Sequence, residues 1–268
     1  MTNPIRCLCL AALALPVYTL TSWSQVLPLK RAHAHNDYEH QRPLIDALNH
    51  GFCSVEADVW LVDGRLLVAH DLKDARPERT LQRLYLDPLQ RRVRDNGGRV
   101  HRNGPTLILL VDAKSEATNT YVAIKLALQP YRSMLTVYRT GRTQTNAVSV
   151  IISGNRAREL MASEPERLAG YDGRLADLDT QAPADFIPLI SDNWRLHFGW
   201  KGTAEEGGMP GPDRLKLQAI VQLAHARGQQ VRFWGMPDTP VVWQALSEAG
   251  VDLINTDDLD GLSRFLAK

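Results

Sequence analysis

The stretch SVEADVWLVDGRLLVAHD, residues 54–71, places acidic side chains within an apolar segment. In an extended chain alternate side chains share a face, so Glu56 and Asp58 point to one side while their apolar neighbours line the other. Two carboxylates that face one space repel each other unless a cation, a proton or a basic group lies between them. A solvated outer face of a sheet would also accommodate an isolated Glu-x-Asp, so the rest of the chain has to distinguish these two interpretations.

Short apolar segments recur along the chain and alternate with helical ones. Predicted strands lie at 31–35, 53–60, 106–112, 147–152, 168–172, 186–191, 230–234 and 251–255. Predicted helices lie at 42–50, 79–95, 117–130, 155–163, 213–227, 239–249 and 258–267. Near-continuous apolar strands are typical of a parallel sheet that helices cover. The pattern predicts an α/β fold, a single (β/α)8 TIM barrel, with a doubly wound open sheet as the alternative.

Three segments depart from this regular alternation. DGR (63–65) predicts a turn, so that LLVAH (66–70) returns beside strand two as a hairpin and brings His70 back toward the carboxylates. LTVYR (135–139) predicts an extra hairpin arm. The stretch 197–212 is rich in Gly and Pro and predicts a long loop after strand six.

The N-terminal segment has the pattern of a secretion signal. The apolar run CLCLAALALPVYTL (7–20) follows Arg6 and ends before small residues, which predicts a signal peptide over residues 1–24. The run is shorter than the roughly 20 residues that a membrane-spanning helix needs, and a buried N-terminal helix is the alternative. We therefore expect an exported protein, periplasmic or secreted, whose residues 25–268 form one domain.

Composition excludes several classes of partner and site. The formal net charge of +1 argues against a nucleic-acid footprint. Cys53 is the only cysteine after residue 24, so the mature chain has neither an internal disulfide nor a zinc-type cysteine pair. We expect a monomer with no stable membrane span and no nucleic-acid partner.

Charged residues collect where the predicted strands end, which is where barrel active sites lie. Strand two carries Glu56 and Asp58, and strand three ends with Asp112 and, two residues on, Lys114. Carboxylates on neighbouring strands form an oxygen cage suited to Mg²⁺ or Ca²⁺. Lys114 beside that cage would add a positive charge for an anionic ligand.

Three histidines lie in segments that converge on these carboxylates: His33, His35 and His70. Two imidazoles that flank a metal-bound phosphate would supply a base for the attacking hydroxyl and an acid for the leaving oxygen. The remaining histidines fit ordinary surface or core positions; they are His40, His50, His101, His197 and His225.

Further polar and aromatic residues are expected to rim the barrel mouth. Trp234 ends strand seven and Asp192 follows strand six, so both are candidates for substrate binding, although Trp234 could equally cap the core. The long loop after strand six carries the large apolar residues Trp194, Phe198, Trp200 and Met209. Exposed aromatics in a mobile loop suit a lid or a probe of a lipid surface, and the alternative is a satellite cluster packed on the barrel.

The order of these motifs resembles that of the phospholipase C-like phosphodiesterase superfamily. The segment HNDYEHQRPLIDALNHGFCSVEADVWLVDGRLLVAHD (35–71) looks most like the glycerophosphodiesterase-like branch that includes yeast "altered inheritance of mitochondria" proteins. The likeness extends to FWGMPD (233–238) and GVDLINTDD (250–258), so it covers nearly all of the mature chain.

The resemblance implies a metal-dependent phosphoric diester hydrolase that acts on glycerophosphodiesters or related phospholipid-derived diesters, and the neutral charge favours a water-soluble diester over an intact membrane lipid. It implies metal ligands at Glu56, Asp58, Asp112 and Asn36, a catalytic pair His35 and His70, and a phosphate-side Lys114. The chain lacks the Arg-Gly that follows the first histidine in glycerophosphodiesterases, and its third carboxylate is Asp instead of Glu. Alignment on Ala-His alone would make His33 the first catalytic histidine.

The sequence leaves two rival interpretations open. His33-x-His35 together with Asp257 also resembles the zinc amidohydrolases, which need further histidines at the ends of middle strands, where this chain has none. The other rival is a barrel without catalysis that binds a phospho-ligand or a lipid.

Overall fold

Strands of the protein close into a barrel in the computed structural model, which describes residues 26–203 and 205–268. The predicted signal peptide lies outside the described residues. The strands in chain order are β1 (Leu29–Ala34), β2 (Phe52–Val62), β3 (Arg65–Val68), β4 (Leu107–Ala113), β5 (Val137–Arg139), β6 (Arg142–Gln144), β7 (Val148–Gly154), β8 (Glu166–Arg167), β9 (Ala169–Gly173), β10 (Leu189–Asn193), β11 (Gln230–Trp234) and β12 (Leu253–Thr256).

Helices connect most of the barrel strands and cover the outside of the sheet. They are α1 (Ile45–Asn49), α2 (Asp87–Asp95), α3 (Ala117–Leu128), α4 (Arg158–Ser163), α5 (Trp194–His197), α6 (Gly211–Ala226), α7 (Pro240–Glu248) and α8 (Leu259–Leu266). A π-helical turn (Gln82–Leu86) precedes α2, and between β9 and β10 a 3₁₀ turn (Leu175–Asp179) stands in place of a full helix. Across the described ranges, no helix combines the length and the apolar character that a membrane crossing requires.

The barrel consists of eight parallel strands in the order β1, β2, β4, β7, β9, β10, β11 and β12. Strand β1 pairs with β2 on one side and with β12 on the other, so the sheet is closed. This arrangement confirms the predicted TIM barrel and excludes the open sheet. Each predicted strand overlaps one of the eight.

The two predicted hairpins are present. Strands β2 and β3 pair antiparallel through a two-residue turn at Asp63 and Gly64, both of which have positive φ, as hairpin turns of this type require. Strands β5 and β6 pair antiparallel and form the extra arm, to which β8 adds a third strand.

Alternation along the strands divides the apolar residues into two layers. Val55, Ala57 and Val59 of β2 belong to the large cluster between the barrel and its helices. A smaller cluster fills the barrel interior and consists of Ile108, Leu110, Ile151, Leu189 and Leu253. Ile108 and Leu110 alternate with their neighbours on β4, so the next residue on their face is Asp112. The barrel interior is therefore apolar toward the amino ends of the strands and polar at their carboxyl ends.

Candidate active site

Three carboxylates meet at the carboxyl ends of β2 and β4. Asp58 pairs in register with Asp112 on the neighbouring strand, and Glu56 precedes Asp58 on the same face. Each of the three offers an oxygen within 4.8 Å of the others. Glu56 and Asp58 are buried, and Asp58 Oδ1 has no hydrogen-bond partner within the described chain. The sequence therefore predicted correctly that these carboxylates share one space.

This cluster fits a divalent cation. Buried carboxylates are stable only when paired with a cation or a proton. An unpartnered buried oxygen on Asp58, next to two further carboxylates, provides the hard oxygen ligands that Mg²⁺ and Ca²⁺ prefer. In the described part of the chain this is the one group of three or more acidic, histidine or cysteine side chains close enough to share an ion.

Electrostatics differ among the three carboxylates. Burial, followed by the charges of Glu56 and Asp58, raises the pKa of Asp112 to about 6 against the favourable effect of Lys114. Burial and the charge of Glu56 also raise the pKa of Asp58. Although burial opposes ionisation of Glu56, Arg232 and a hydrogen bond from His33 hold its pKa below the usual range. The pKa values of Asp58 and Asp112 are thus raised and that of Glu56 is lowered, although the three carboxylates share one space.

Lys114 bridges two of the carboxylates. Its Nζ lies 2.9 Å from Asp58 Oδ2 and 3.1 Å from Asp112 Oδ1. Burial lowers the pKa of Lys114, but the two carboxylates outweigh this effect and raise it, so the ammonium remains charged. The side chain lies where the sequence placed it, beside the carboxylates.

Arg232 of β11 is a residue of the site that the sequence interpretation missed. Its guanidinium is buried, and Nη2 lies 2.5 Å from Glu56 Oε2 and 2.6 Å from Asn255 Oδ1. The sequence contained a signal for this role, because Arg232 is a charged residue inside the apolar run VRFW (231–234). A buried arginine needs a carboxylate partner.

His33 is enclosed within the barrel. Its Nδ1 lies 2.6 Å from Ser54 Oγ and its Nε2 lies 3.1 Å from Glu56 Oε2, so both ring nitrogens have partners. Burial and the charge of Arg232 lower the pKa of His33 to about 3. The ring is therefore neutral, and its geometry suits the orientation of Glu56 better than proton transfer.

His35 lies at the barrel mouth. Its Nδ1 is 2.8 Å from Asp257 Oδ1, and its Nε2 makes no hydrogen bond within the described chain. Burial lowers the pKa of His35, but the hydrogen bond to Asp257 reverses the effect and raises it. A carboxylate that holds one nitrogen while the other remains free is the arrangement of a general base.

His70 returns on the β2–β3 hairpin, as predicted, and has a similar arrangement. Its Nδ1 lies 3.2 Å from Asp58 Oδ2, and its side chain is 59% exposed. The Tyr38 hydroxyl donates to Asp58 Oδ2 at 2.7 Å and lies 3.2 Å from His70 Nδ1. Burial and Asp58 raise the pKa of Tyr38 and keep the phenol protonated. Tyr38 was not predicted as a site residue.

Asn36, the fourth predicted metal ligand, adopts a left-handed conformation with φ 47° at the end of β1. Its Oδ1 lies 2.8 Å from the Tyr38 hydroxyl oxygen, and its Nδ2 lies 3.1 Å from His35 Nδ1. The amide therefore lies between the first histidine and the tyrosine beside Asp58.

The two predicted substrate-binding residues differ in their surroundings. Trp234 is half-buried at the mouth, and its ring centre lies 4.9 Å from the guanidinium carbon of Arg174. The oxygens of Asp192 accept hydrogen bonds from the backbone nitrogens of Asn193, at 2.8 Å, and Leu175, at 3.1 Å. Those contacts give Asp192 a role in holding the loops together.

The expectation of exposed aromatics in the loop after strand six is wrong. Trp194, Phe198 and Trp200 are 1%, 7% and 3% exposed, and Met209 is also buried. Trp194 stacks on Phe198 with ring centres 3.8 Å apart and meets Phe233 of β11 edge-on. The alternative, a satellite cluster packed on the barrel, is correct, because burial of several large rings stabilises a loop that lacks regular structure.

Comparisons with known proteins show the family of the chain. Residues 21–172 match the model of the AIM6-like phosphodiesterase domain, and residues 230–260 match that of the glycerophosphoryl diester phosphodiesterase family. The chain is 32% identical to Altered inheritance of mitochondria protein 6 of Eremothecium gossypii, over 88% of this chain and 69% of that protein. It is 28% identical to the Arthroderma benhamiae homolog, over 85% of this chain and 81% of that protein.

Two solved structures share the fold. A glycerophosphodiester phosphodiesterase from Parabacteroides distasonis superposes with a TM-score of 0.54 at 17% identity, over 90% of this chain and 98% of that one. The corresponding enzyme from Agrobacterium tumefaciens gives a TM-score of 0.52 at 15% identity, over 89% and 100%.

Proposed function

We propose that this chain, which belongs to the AIM6-like phosphodiesterase domain family, is a divalent-metal-dependent phosphodiesterase that acts on glycerophosphodiesters or related phospholipid-derived diesters. The observation that carries the proposal is the buried carboxylate cluster with the unpartnered Asp58 Oδ1, flanked by two carboxylate-bound histidines.

The cation-binding residues in this proposal are Glu56, Asp58 and Asp112, with Asn36 as a further oxygen ligand, and Mg²⁺ or Ca²⁺ as the ion. When bound, such an ion supplies a Lewis acid for a non-bridging phosphate oxygen. The three carboxylates carry three negative charges, and Lys114 and Arg232 carry two positive charges, so the cluster has one net negative charge. A divalent ion would convert this to one net positive charge. That value matches the single negative charge of a phosphodiester.

The histidines divide the proton transfers. Asp257 holds Nδ1–H of His35, so Nε2 accepts the proton of a substrate hydroxyl beside the phosphate. The hydroxyl oxygen bonds to phosphorus as the bond to the leaving alcohol breaks, and His70 Nε2 donates the proton that this alcohol takes up. The products of this step are an alcohol and a cyclic phosphodiester. Water opens the cyclic diester in a second step, in which His70 acts as the base and His35 as the acid. Lys114 holds a phosphate oxygen by charge.

A turnover assay tests the proposal directly. We expect hydrolysis of water-soluble glycerophosphodiesters in Mg²⁺ or Ca²⁺ and its loss in EDTA, with recovery when the ion is restored. Undiminished activity in EDTA would refute the metal role. Metal-dependent binding of a diester without turnover would favour the non-catalytic barrel, and activity restored by Zn²⁺ alone would favour the amidohydrolase alternative.

Export is the remaining element of the proposal. The apolar run before residue 24 supports a periplasmic or secreted location. N-terminal sequencing of the protein recovered from its natural source tests this, since a mature chain that begins near residue 25 is the expected result and an intact Met1 is the contrary one.

A further inference from the structure

A second polar cluster lies at the barrel mouth, on the strands β7, β9 and β10. Its buried members are Ser153, Asp172 and Ser191, and Arg174 follows Asp172 by two residues. The Asp172 carboxylate accepts hydrogen bonds from Ser153 Oγ at 2.6 Å and from Ser191 Oγ at 2.7 Å. Arg174 Nη1 lies 2.8 Å from Asp172 Oδ2. The proposed catalytic steps use none of these residues.

This cluster faces the same space as the metal-binding carboxylates. Ser153 follows the interior residue Ile151 by two positions and pairs in register with Asp112 on the neighbouring strand. Arg174 Nη2 lies 3.4 Å from Ser153 Oγ. Neighbouring strands are about 4.8 Å apart, so one strand spacing and one contact connect Arg174 to the carboxylate cluster. The side chains of Arg174 and Asp112 are 24% and 18% exposed, so both reach solvent at the mouth.

The guanidinium of Arg174 is held in place from several sides. Its central carbon lies 4.9 Å from the ring centre of Trp234 on β11, in a cation–π contact. Nη1 also donates to the carbonyl oxygens of Gly173, at 3.1 Å, and Ser191, at 3.3 Å. A side chain that is already ordered loses little further freedom when a ligand binds to it.

One edge of this guanidinium remains available to a ligand. On the edge formed by Nε and Nη2, the contact with Ser153 Oγ is the one hydrogen bond made within the described chain. Two parallel N–H donors on such an edge match the two oxygens of a carboxylate or phosphate group. Arg174 therefore presents an ordered pair of donors to the mouth.

The charges around Arg174 favour an anion on that edge over a neutral group. Arg156 Nη1 donates to the backbone carbonyl oxygen of Asp172, so two guanidiniums contact this residue. Burial and the charge of Arg174 lower the pKa of Arg156, although an arginine remains charged. In the described ranges, the pair Arg174–Asp172 is the one ion pair that either guanidinium makes. Asp192, the next acidic side chain on β10, accepts from two backbone nitrogens instead.

We propose that Arg174 binds a second anionic group on one ester arm of the substrate, so that the preferred substrates are phosphodiesters with a further acidic group such as a carboxylate. The inference rests on the proposed function, because it places the phosphate at the carboxylate cluster. Strand β9 is the fifth of the eight barrel strands counted from β1, so this arm extends across the mouth, away from His35. Arg174 is then a specificity residue.

Calorimetry in Mg²⁺ tests the proposal in the unmodified protein. The probes are 2-carboxyethyl methylphosphonate and 2-carbamoylethyl methylphosphonate, which share the phosphonate and the arm and differ by one negative charge. A charge-assisted contact with Arg174 should make the carboxylate probe bind roughly tenfold to a hundredfold more tightly than the carboxamide probe. Equal dissociation constants for the two probes would overturn the proposal.

A matched pair of variants locates the preference. Arg174→Gln removes the guanidinium, so the ratio of the two dissociation constants should fall to about one. Arg195 provides the control, because it is exposed after β10 at the same end of the barrel and donates to the carbonyl oxygen of Gly235. Arg195→Gln removes the same charge and should keep the ratio. A ratio that persists in Arg174→Gln, or that is lost equally in both variants, would overturn the assignment.

A second variant covers the case in which Arg174→Gln does not melt cooperatively. Arg174→Lys keeps a positive charge beside Asp172 and lacks the edge with two donors, so the ratio should fall by at least about threefold. An undiminished ratio in Arg174→Lys would contradict binding through that edge.

Turnover separates this proposal from the catalytic one. The ethyl diester of glycerol phosphate has no second charge and reports the phosphodiester chemistry alone. Its hydrolysis together with equal binding of both probes would overturn the role of Arg174 and leave the proposed function intact. A carboxylate preference that Arg174→Gln abolishes, without hydrolysis of any diester, would support Arg174 while the proposed catalysis fails.

Discussion

Gly154, the last residue of β7, lies directly against the carboxylate cluster. Its φ is +68°, and a Cβ atom there would lie 2.3 Å from Asp112 Oδ1 and 2.5 Å from the carbonyl oxygen of Ala113. Ordinary contacts of a Cβ begin near 3.4 Å, so Gly154→Ala requires Asp112 and the end of β4 to shift by roughly 1 Å. We predict that this single methyl group disrupts the proposed metal site.

Two effects destabilise Gly154→Ala, namely its positive φ and the contact with Asp112, and a control variant separates them. An alanine with positive φ is destabilised by about 1–2 kcal/mol through its backbone alone. Gly141, in the β5–β6 turn, has φ +76° and no atom within 4 Å of its Cβ position, so Gly141→Ala should show that cost and no more. Gly154→Ala should lose a larger free energy of unfolding, because the contact with Asp112 adds to the backbone cost.

The assay is a calorimetric titration with Mg²⁺ and Ca²⁺ alongside steady-state kinetics. A displacement of about 1 Å in a reacting assembly can lower kcat/KM by roughly a hundredfold, and we expect that loss with weaker ion binding in Gly154→Ala. Gly141→Ala should bind the ion and turn over substrate like the unmodified protein. Unchanged ion affinity in a folded Gly154→Ala would refute Asp112 as a ligand held in place by Gly154.

Two further predictions concern titratable groups. His35→Ala should lower kcat by about 10²–10⁴-fold, whereas His33→Ala should act mainly on stability and ion binding. A larger loss of kcat in His33→Ala than in His35→Ala would identify His33 as the base. Burial raises the pKa of Asp37 to about 7, against hydrogen bonds from the Leu44 backbone and the Tyr85 hydroxyl that lower it. The unfolded chain loses this proton near pH 4 and the folded chain near pH 7, so the contribution of Asp37 to stability falls as pH rises through that window. Asp37→Asn keeps the acceptor oxygen, so its free energy of unfolding in urea titrations should rise relative to that of the unmodified protein between about pH 5 and about pH 8. If the free energies of unfolding of the two proteins have the same pH dependence, Asp37 is not the titrating group.

Sequence patterns predicted the parts of the molecule that depend on local order. Strand periodicity located all eight barrel strands, and the adjacency of β2 and β4 brought Glu56, Asp58 and Asp112 together as expected. A short turn at Asp63 and Gly64 was sufficient to return His70. In each case the interacting residues lie on strands that are neighbours in the sheet.

Contacts across the barrel could not be predicted in the same way. Arg232 reaches Glu56 from a strand 176 residues later, and its partner became evident only when the sheet closed. The choice between His33 and His35 depended on which ring enters the interior, since alternation places both on one face of a short strand. Trp194 and Phe198 were buried by packing on Phe233, which loop composition does not encode.

Asp58 couples the parts of the site in a way that neither histidine nor the other carboxylates can. Its Oδ2 accepts from the Tyr38 hydroxyl and lies within 3.2 Å of His70 Nδ1 and Lys114 Nζ, while its buried Oδ1 has no partner in the described chain. Such an unequal environment leaves one oxygen for a cation and uses the other to orient the proposed acid. A cation at Asp58 would draw negative charge away from Oδ2, which contacts Nδ1 of His70. The ring would then give up its Nε2 proton to the leaving alcohol more readily, and Asp58 would link ion binding to acid catalysis.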